Sequence, residues 1–462
     1  MTDAVLDEVS PIEDVTTPTV LSQIHKAGWG VGSLGATSLI YLQSLFVLYF
    51  FTVILGIEPG IAGTAILLSK VSDIVCGLLI GRASDGLRTR WGRRRPFLAA
   101  GALVATAGTI LVFNPPVVNP IVQCASLMVM GLGYCLFTVP YLALPSEVTS
   151  SADERVQMMS WRVIFVSTAE LIAKSALPLV VAAYAGKPAG YSVMSLVAAA
   201  AIGGSMMVAF FLSPKEPTLP ARLPKAERLP PGSWAQVAAN RPFVLLMLTK
   251  IPQAFGLYVS LATLLFFFTS VLGGTGKLVA LWGLCSNLAS MAAIPFWFWM
   301  SRRVSKRSIF VVGVLGYVTV SFSWLLAHHG DPAWMVALRA VITGPFAAGL
   351  LLSSQSMLPE AIAYSTAATG VRQEGTYAAA YSLTEKTCSA LAPFAVGWIL
   401  QFVGLNGKTA IAGHLSHQAL SALYITVGVI PGVAYLVGLI PMAFYALKTW
   451  GGVGLDMEKP AG

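Results

Sequence analysis

The sequence predicts an all-α membrane protein with twelve transmembrane helices in two halves of six. Of its 462 residues, 56% are apolar and 11% are charged, whereas soluble domains average about 45–50% apolar and about 25% charged residues. The apolar residues form runs of about 20, the length that crosses a bilayer as a helix, and the mean hydropathy is +0.74. Porin-like barrels are excluded because their strands alternate polar and apolar residues.

The apolar runs give the predicted helices in order. They are 30–52, 60–81, 96–114, 119–145, 159–185, 190–212, 242–271, 276–300, 308–328, 333–357, 375–403 and 418–447. The two halves are therefore lobes at 27–212 and 242–447, joined by a linker at 213–241 whose six prolines and mixed charges predict an extended chain. The acidic segment 1–26 lacks the apolar core of a signal peptide and is predicted as an N-terminal tail, and 448–462 as a C-terminal tail.

The loop charges predict the orientation of the bundle. Six arginines lie in the loop at 82–95, and three arginines and a lysine lie in the matching loop of the second half at 302–307, whereas the alternate loops have almost none. Cytoplasmic loops carry such an excess of Lys and Arg, so the linker and both termini are predicted to be cytoplasmic. These loops also account for most of the net charge of +9, and we expect no nucleic-acid partner.

The sequence predicts neither a cofactor nor a metal site. The five cysteines lie inside apolar runs without CxxC spacing, and the five histidines lie at loops or helix ends. No HExxH motif, no paired catalytic acids and no phosphate-binding GxxxxGK[ST] motif occurs. These absences argue against a membrane enzyme and against an ATP-driven pump.

The two halves repeat each other. Each has a basic loop after its second helix and a proline–acid pair at the end of its fourth, in LPSEV (144–148) and MLPEA (357–361). Internal repeats of this kind are typical of transporters whose substrate site lies between the repeats near the bilayer midplane.

Three segments resemble a known family. The segments 85–97, 139–162 and 356–386 are similar to the glycoside-pentoside-hexuronide:cation symporters, the melibiose-permease group of the major facilitator superfamily. The resemblance implies the major facilitator fold, with two pseudo-symmetric lobes that alternate access to the two sides of the membrane. It also implies a monomer in the inner (plasma) membrane whose partners are the lipid bilayer, a small solute and a coupling cation, H⁺ or Na⁺.

The resemblance also implies a cation site. An ionisable group inside a membrane helix is a functional hypothesis by default, and Asp73 matches the first of two family cation-binding aspartates. Gly77 occupies the second position, which favours a proton, because Na⁺ needs several oxygens; Thr384 is a candidate to supply one. Lys386 matches the family lysine that bridges the cation and substrate sites, and we expect it to pair with Asp73 across the lobes.

The substrate positions depart from the family. Thr37 and Thr138 stand where the relatives have two sugar-binding aspartates, while Arg162 matches the family arginine near the sugar. A carboxylate that accepts two hydroxyl bonds is a strong recognition device, so its loss weakens the case for a neutral galactoside. The other predicted substrate contacts are Tyr41, Lys174, Gln253, Trp282 and Lys386.

Intramembrane charges predict the charge of the solute. The predicted intramembrane charges are Arg162, Lys174, Lys250, Arg339 and Lys386 against Asp73, Glu170 and Glu385. The positive surplus favours an anion, such as a hexuronide or acidic glycoside, with an acid-headed amphiphile such as a lysophospholipid as the alternative. A sensor or assembly factor on the same fold is the alternative from another class.

Two further interpretations remain open at this stage. Glu170 and Lys174, spaced i,i+4, form either a self-neutralised pair or part of the substrate site. Lys250 and Arg339 lie nearer to predicted helix ends and are expected to snorkel.

Charged residues of the cytoplasmic loops predict a gate. They are Asp85, Arg88, Arg93, Arg94, Glu147 and Arg155 in the first half and Glu360, Arg372 and Glu374 in the second. The resemblance implies Asp–Arg contacts that close the lobes on the cytoplasmic side. The alternative is that these charges only set topology and cap helices.

Overall fold

The computed structural model describes residues 21–87, 89, 92–149, 151–214, 237–369, 374–407 and 415–445. Twelve long helices lie in these ranges. They are α1 (Gln23–Leu42), α2 (Pro59–Gly86), α3 (Arg95–Phe113), α4 (Pro120–Val148), α5 (Ala152–Leu171), α6 (Pro188–Leu212), α7 (Arg241–Phe266), α8 (Gly276–Ser301), α9 (Lys306–Ser323), α10 (Ala333–Thr369), α11 (Glu374–Phe402) and α12 (His417–Tyr424). Most of the predicted linker and all of the predicted C-terminal tail lie outside the described residues.

Four of these helices continue through π-helical turns. The continuations are Gln43–Val47 and Phe50–Ile54 after α1, Ile172–Ala176 and Leu177–Ala183 after α5, Phe267–Val271 after α7, and Ile425–Val429 and Ile430–Ala443 after α12. Within the described ranges, eleven helices are long and apolar enough to cross a membrane. The twelfth is α11, which carries the adjacent charges of Glu385 and Lys386. The predicted all-α membrane fold is confirmed.

Helix ends extend beyond the apolar runs. The first helix begins at Gln23, inside the predicted tail, because Ser22 caps it by accepting from the His25 amide at 3.4 Å. Lys26 is 1% exposed, and its ammonium contacts Glu154 at 3.3 Å. Hydropathy alone misses such ends, since a paired lysine interrupts the apolar run without interrupting the helix.

Each lobe is a packed bundle of six helices. In the first, α1 packs on α5 and α6, and α4 packs on α2 and α3. In the second, α10 packs on α8 and α9, and α12 packs on α7 and α9. The lobes meet where α2 contacts α11, where α5 contacts α8, and where the π-helical turn Gln43–Val47 contacts α7.

Glycines allow the closest approach between the lobes. A Cβ at Gly283 of α8 would lie 2.2 Å from the carbonyl oxygen of Lys174 on the π-helical turn after α5. A Cβ at Gly397 of α11 would lie 2.3 Å from the carbonyl oxygen of Pro59 on α2. Because real Cβ atoms do not approach this closely, only glycine lets these backbones touch.

The lobes are closed at the end of the bundle away from the basic loops, here called the distal end. Phe50, Phe51, Phe113 and Tyr191 form a buried aromatic cluster there in the first lobe. The Gln401 side chain links the lobes by two hydrogen bonds: its amide oxygen accepts from the Gly60 amide at 2.8 Å, and its Nε2 donates to Glu58 Oε2 at 3.1 Å. This pair of hydrogen bonds is called the distal latch.

At the other end, called the basic end, the carboxylates of Glu147 and Glu360 pair with cations of their own lobes. Glu147 accepts hydrogen bonds from Arg93 and from Arg94 Nε, the latter at 2.7 Å. Glu360 pairs with Lys306 of its own lobe. Among the described residues, the hydrogen bonds of the distal latch therefore have no counterpart in the ion pairs named at the basic end.

Candidate functional site

A cavity of about 260 Å³ lies between the lobes and extends into the second. Its volume is just below the range of about 300–1,000 Å³ that small-molecule sites occupy. Charged, polar and aromatic side chains line it: Tyr41, Glu170, Lys174, Lys250, Gln253, Tyr258, Ser260, Trp282, Ser286, Asn287, Ser290, Tyr317, Thr343, Ser354, Glu385 and Tyr435. Of the predicted substrate contacts, Tyr41, Lys174, Gln253 and Trp282 are therefore brought together.

The first-lobe wall of the cavity is a closed charge pair. Lys174 forms an ion pair with Glu170, as the i,i+4 spacing predicts. The Tyr41 hydroxyl donates to the same Glu170 oxygen at 2.9 Å. The Lys174 ammonium also lies 4.8 Å from the Tyr41 ring centroid and 5.9 Å from that of Trp282, within the range of cation–π attraction. The Lys174 ammonium therefore has a carboxylate partner and two aromatic rings near it.

The second-lobe wall is an ion pair between two helices. Lys250 Nζ on α7 lies 3.0 Å from Glu385 Oε1 on α11, and 5.0 Å from the Tyr381 ring centroid. The expectation that Lys250 snorkels is wrong: the capped helix begins at Arg241, and the ammonium lines the cavity.

Arg339, the other residue expected to snorkel, reaches back to the loop that precedes α10. Its guanidinium lies 3.4 Å from Asp331 Oδ2 and 4.9 Å from the Trp324 ring centroid, and its side chain is only 12% exposed. Because Asp331 lies in the loop before α10, the direction of the Arg339 side chain agrees with the expectation, and the snorkelling stays a prediction.

Two carboxamides, one of them with an unpartnered donor, lie deep in the cavity wall. Gln253 is 8% exposed, and its Nε2 is buried without a hydrogen-bond partner. Asn287 is also buried, and the rings of Tyr317 and Tyr435 stack with centroids 4.3 Å apart. Carboxamides beside aromatic faces suit a solute that carries hydroxyls on an apolar ring.

Asp73 lies outside the cavity, in the packed interior of the first lobe. It is 4% exposed, and its Oδ1 has no hydrogen-bond partner. A Cβ at Gly131 of α4 would lie 1.7 Å from that oxygen, so the carboxylate rests in a space that the glycine leaves. The partner expected for Asp73 was Lys386, but within the described ranges its ion pair is with Lys70, at 3.5 Å on the same helix.

Lys386 faces α2 one turn beyond Asp73. Its Nζ lies 3.7 Å from the position of a Cβ at Gly77, and among the described residues it forms no ion pair. Thr384 is not directed towards Asp73: its hydroxyl donates to the Ala380 carbonyl at 3.1 Å and lies 3.9 Å from Met247 Sδ of α7. In this conformation Thr384 therefore supplies no oxygen at Asp73.

The other predicted solute contacts lie outside the cavity lining. Thr37 is half-buried on α1. Thr138 is buried, and its hydroxyl donates to the Tyr134 carbonyl at 2.8 Å. Arg162 is half-buried on α5, and its Nε has no hydrogen-bond partner. These three positions are separate from the cavity that Tyr41, Lys174, Gln253 and Trp282 share.

Sequence reasoning missed the ion-pair partners of Asp73 and Lys250. Lys70 stands three residues before Asp73 and so shares its helix face, a signal that the sequence does contain. The contact of Lys250 with Glu385 joins helices more than 100 residues apart, and no spacing rule predicts it.

The predicted gate residues fall into two groups. Within the described residues, Glu147 and Glu360 pair inside their own lobes, and Arg155 Nε donates to the Thr149 carbonyl at 3.0 Å. Arg88 and Arg372, and the side chains of Asp85 and Glu374, lie outside the described part of the chain. Pairing across the lobes stays a prediction for a conformation closed at the basic end.

The sequence profile of the family described as "MFS/sugar transport protein" matches residues 28–449. The chain belongs to this family. The resemblance to glycoside-pentoside-hexuronide:cation symporters within the major facilitator superfamily is thereby confirmed. The protein is a multi-pass membrane transporter and not an enzyme.

Relatives within this transporter family match over nearly the whole chain. The putative glycoside/cation symporter YagG of Escherichia coli (strain K12) is 26% identical over 93% of this chain and 93% of its own. The glucuronide carrier protein homolog of the same organism is 27% identical over 91% of this chain and 89% of its own. The crystal structure of a D-xylose-proton symporter has a TM-score of 0.64 at 16% identity, covering 91% and 97% of the two chains, and shares the fold.

The distal latch gives a first testable prediction for this transporter. Gln401→Leu removes the hydrogen bonds to Gly60 and Glu58, each worth about 1 kcal/mol, and should shift the ratio of conformations by roughly thirtyfold towards opening at the distal end. Electron–electron double resonance measures the distance between the lobes at the distal end, with spin labels at Val117 and Lys277 and the native cysteines replaced. A distance distribution unchanged from the parent would show that the latch does not hold the lobes.

Proposed function

We propose that the protein is a cation-coupled symporter that carries a small acidic glycoside or hexuronide by alternating access. The observation that carries this proposal is the placement of two consecutive residues on α11. Glu385 faces the cavity in a pair with Lys250, whereas Lys386 faces α2 beside Gly77, one turn from Asp73. One helix therefore contacts both the solute cavity and the buried carboxylate.

Coupling requires that each ligand prefer one of two conformations. Asp73 is held by Lys70 in the first lobe, and Lys386 approaches from the second. A cation that neutralises Asp73 changes the charge that Lys386 meets at the lobe contact. That change alters the relative stability of the open and closed arrangements, which is the requirement for coupled transport.

The charge balance supports an anionic cargo. Lys70, Lys174 and Lys250 have carboxylate partners, whereas Arg162 and Lys386 have no ion pair among the described residues. Two positive charges near the lobe interface thus remain after pairing. An anion entering with one cation neutralises part of this surplus.

The cavity supports a small cargo over a lipid. Its volume of about 260 Å³ and its lining of carboxamides, hydroxyls and two ion pairs suit a single sugar ring with polar substituents. The acyl chain of a lysophospholipid would have to enter this polar space, where burying charged groups against hydrocarbon is unfavourable. Among the relatives, one is described as a glucuronide carrier protein homolog.

The single carboxylate supports H⁺ as the coupling ion. Gly77 replaces the second carboxylate, and the Thr384 hydroxyl is directed to its own helix and towards α7. A proton needs one carboxylate, whereas Na⁺ needs several oxygens from side chains or unwound backbone.

Loop charge supports a cytoplasmic location for the basic end, both termini and the linker, in the inner membrane of a bacterium. With that orientation the distal latch and the glycine contacts close the lobes on the outside.

Uptake into proteoliposomes tests the proposal. A neutral solute moving with one cation gains about 2.3 kcal/mol per 100 mV and about 1.4 kcal/mol per tenfold ion gradient. An anion moving with one H⁺ is electroneutral and keeps only the gradient, so methyl β-D-glucuronide should accumulate about tenfold per pH unit with weak dependence on voltage. A large inward current on adding the solute would overturn the electroneutral anion mechanism. Absence of uptake under any gradient would favour the alternative of a non-transporting sensor on the same fold.

A further inference from the structure

We propose that the Glu385 carboxylate pairs with the Lys250 ammonium while the cavity holds no solute, and that the carboxylate of the cargo displaces it. Lys250 is then the residue that receives the acid group of the solute. This inference rests on the proposed function, because it specifies how the same cavity binds an acidic glycoside.

The cations that line the cavity are the candidates for this role. Among the described residues, Lys174 and Lys250 line it, whereas Arg162 and Lys386 do not. A carboxylate bound in the cavity therefore meets one of the two lining lysines first.

The two lining pairs differ in how readily they open. Lys174 is paired within one helix, and Tyr41 both bonds its partner Glu170 and offers a ring face to the ammonium. Lys250 also has a ring beside it, that of Tyr381 at 5.0 Å, but its one carboxylate partner lies on another helix, at 3.0 Å, and among the described residues accepts no tyrosine hydroxyl bond comparable to that of Glu170. The Glu385 side chain is 43% exposed and the Glu170 side chain 27%, so Glu385 can move into the cavity at the smaller cost in broken contacts.

A neighbouring group of α7 completes the site. Gln253 lies three residues after Lys250, on the same helix face, and lines the cavity. Its Nε2 is buried and without a partner, and buried donors normally have one. A sugar oxygen next to the acid group would satisfy this donor while the carboxylate binds Lys250.

Displacement also explains how the cavity selects its cargo. Exchanging one carboxylate for another keeps the Lys250 ammonium paired throughout, and the carboxylate that loses its partner is that of Glu385, the more exposed member of the pair. A neutral glycoside cannot replace Glu385, and a weakly bound anion cannot compete with a carboxylate that is always present. Specificity then arises from an internal competitor as well as from attractive contacts.

Binding to the purified protein without an ion gradient tests the inference. The probes are methyl β-D-glucuronide and methyl β-D-glucoside, which differ in the acid group, measured by calorimetry. Glu385→Gln should tighten binding of the glucuronide on the order of tenfold, because a charge-assisted contact becomes free, and leave the glucoside unchanged. Lys250→Met should weaken glucuronide binding by a similar factor and spare the glucoside.

The double variant Lys250→Met/Glu385→Gln is the matched control. It leaves no charge unpaired in the cavity, so it should fold even where a single variant does not, which its unfolding temperature checks. It should bind both glycosides with equal affinity. A gain for glucuronide that survives in the double variant, an equal gain for both probes in Glu385→Gln, or a loss of glucuronide binding in Glu385→Gln would each overturn the inference.

Failure of this inference is distinguishable from failure of the proposed function. If neither probe binds to the parent or to any variant, the assignment of Lys250 as the acid-group site is wrong, while cation-driven uptake by the parent still decides whether the chain is a symporter.

Discussion

Asp73→Asn is expected to abolish concentrative uptake while solute exchange continues. The carboxylate is 4% exposed and has one ion-pair partner among the described residues, Lys70, with Oδ1 unpartnered. An amide of the same size keeps the packing against Gly131 but takes up no cation. Accumulation driven by a tenfold ion gradient should fall from about tenfold to unity, measured as the ratio of internal to external solute in proteoliposomes.

Two controls make this result specific. Ser84→Ala changes a fully buried polar side chain of the same helix that donates to the Gly81 carbonyl, and it should preserve accumulation. Exchange of labelled for unlabelled solute requires a folded protein that changes conformation, so it shows whether the Asp73→Asn variant still does both. Concentrative uptake by Asp73→Asn at parental levels would mean that the coupling carboxylate lies elsewhere.

Gly77→Asp is expected to give the transporter a response to Na⁺. A Cβ at this position meets nothing closer than the Lys386 ammonium, at 3.7 Å, so a carboxylate fits and pairs with that lysine. Two carboxylates one helical turn apart then offer enough oxygens for Na⁺. Addition of Na⁺ at constant pH should lower the half-saturating solute concentration on the order of tenfold, measured by initial uptake rates.

The matched control is Gly77→Asn, which has the same size without the charge. It should respond to Na⁺ no more than the parent does. A parent that already shows the full Na⁺ response would contradict the preference for H⁺, and Gly77→Asp without any response would show that the second carboxylate is insufficient.

The sequence predicts the fold well because lipid imposes a simple rule on it. Each bilayer crossing requires about 20 apolar residues, and the twelve runs locate the twelve helices. The ends are less well predicted: α10 continues to Thr369, well past the predicted residue 357, because the helix extends beyond the apolar run that crosses the membrane.

The site is only partly predictable. Local pairs follow from spacing, as Glu170 with Lys174 shows. The i,i+3 spacing of Lys70 and Asp73 would have predicted their pair in the same way. The pair of Lys250 with Glu385 depends on how α7 lies against α11, and that packing is a property of the whole bundle. Arg162 illustrates the converse case: the family motif locates it, yet the cavity of this conformation does not include it.

The adjacency of Glu385 and Lys386 has a consequence for how such a protein diversifies. A substitution on α11 that adapts the cavity to a new cargo also disturbs the contact with α2, so cargo preference and ion preference are genetically linked at this helix. Residues that line the cavity from other helices, such as Asn287 on α8 or Tyr435 on the α12 continuation, carry no such link. We therefore expect new cargo specificities to arise by mutation on those helices, with α11 constrained to change slowly.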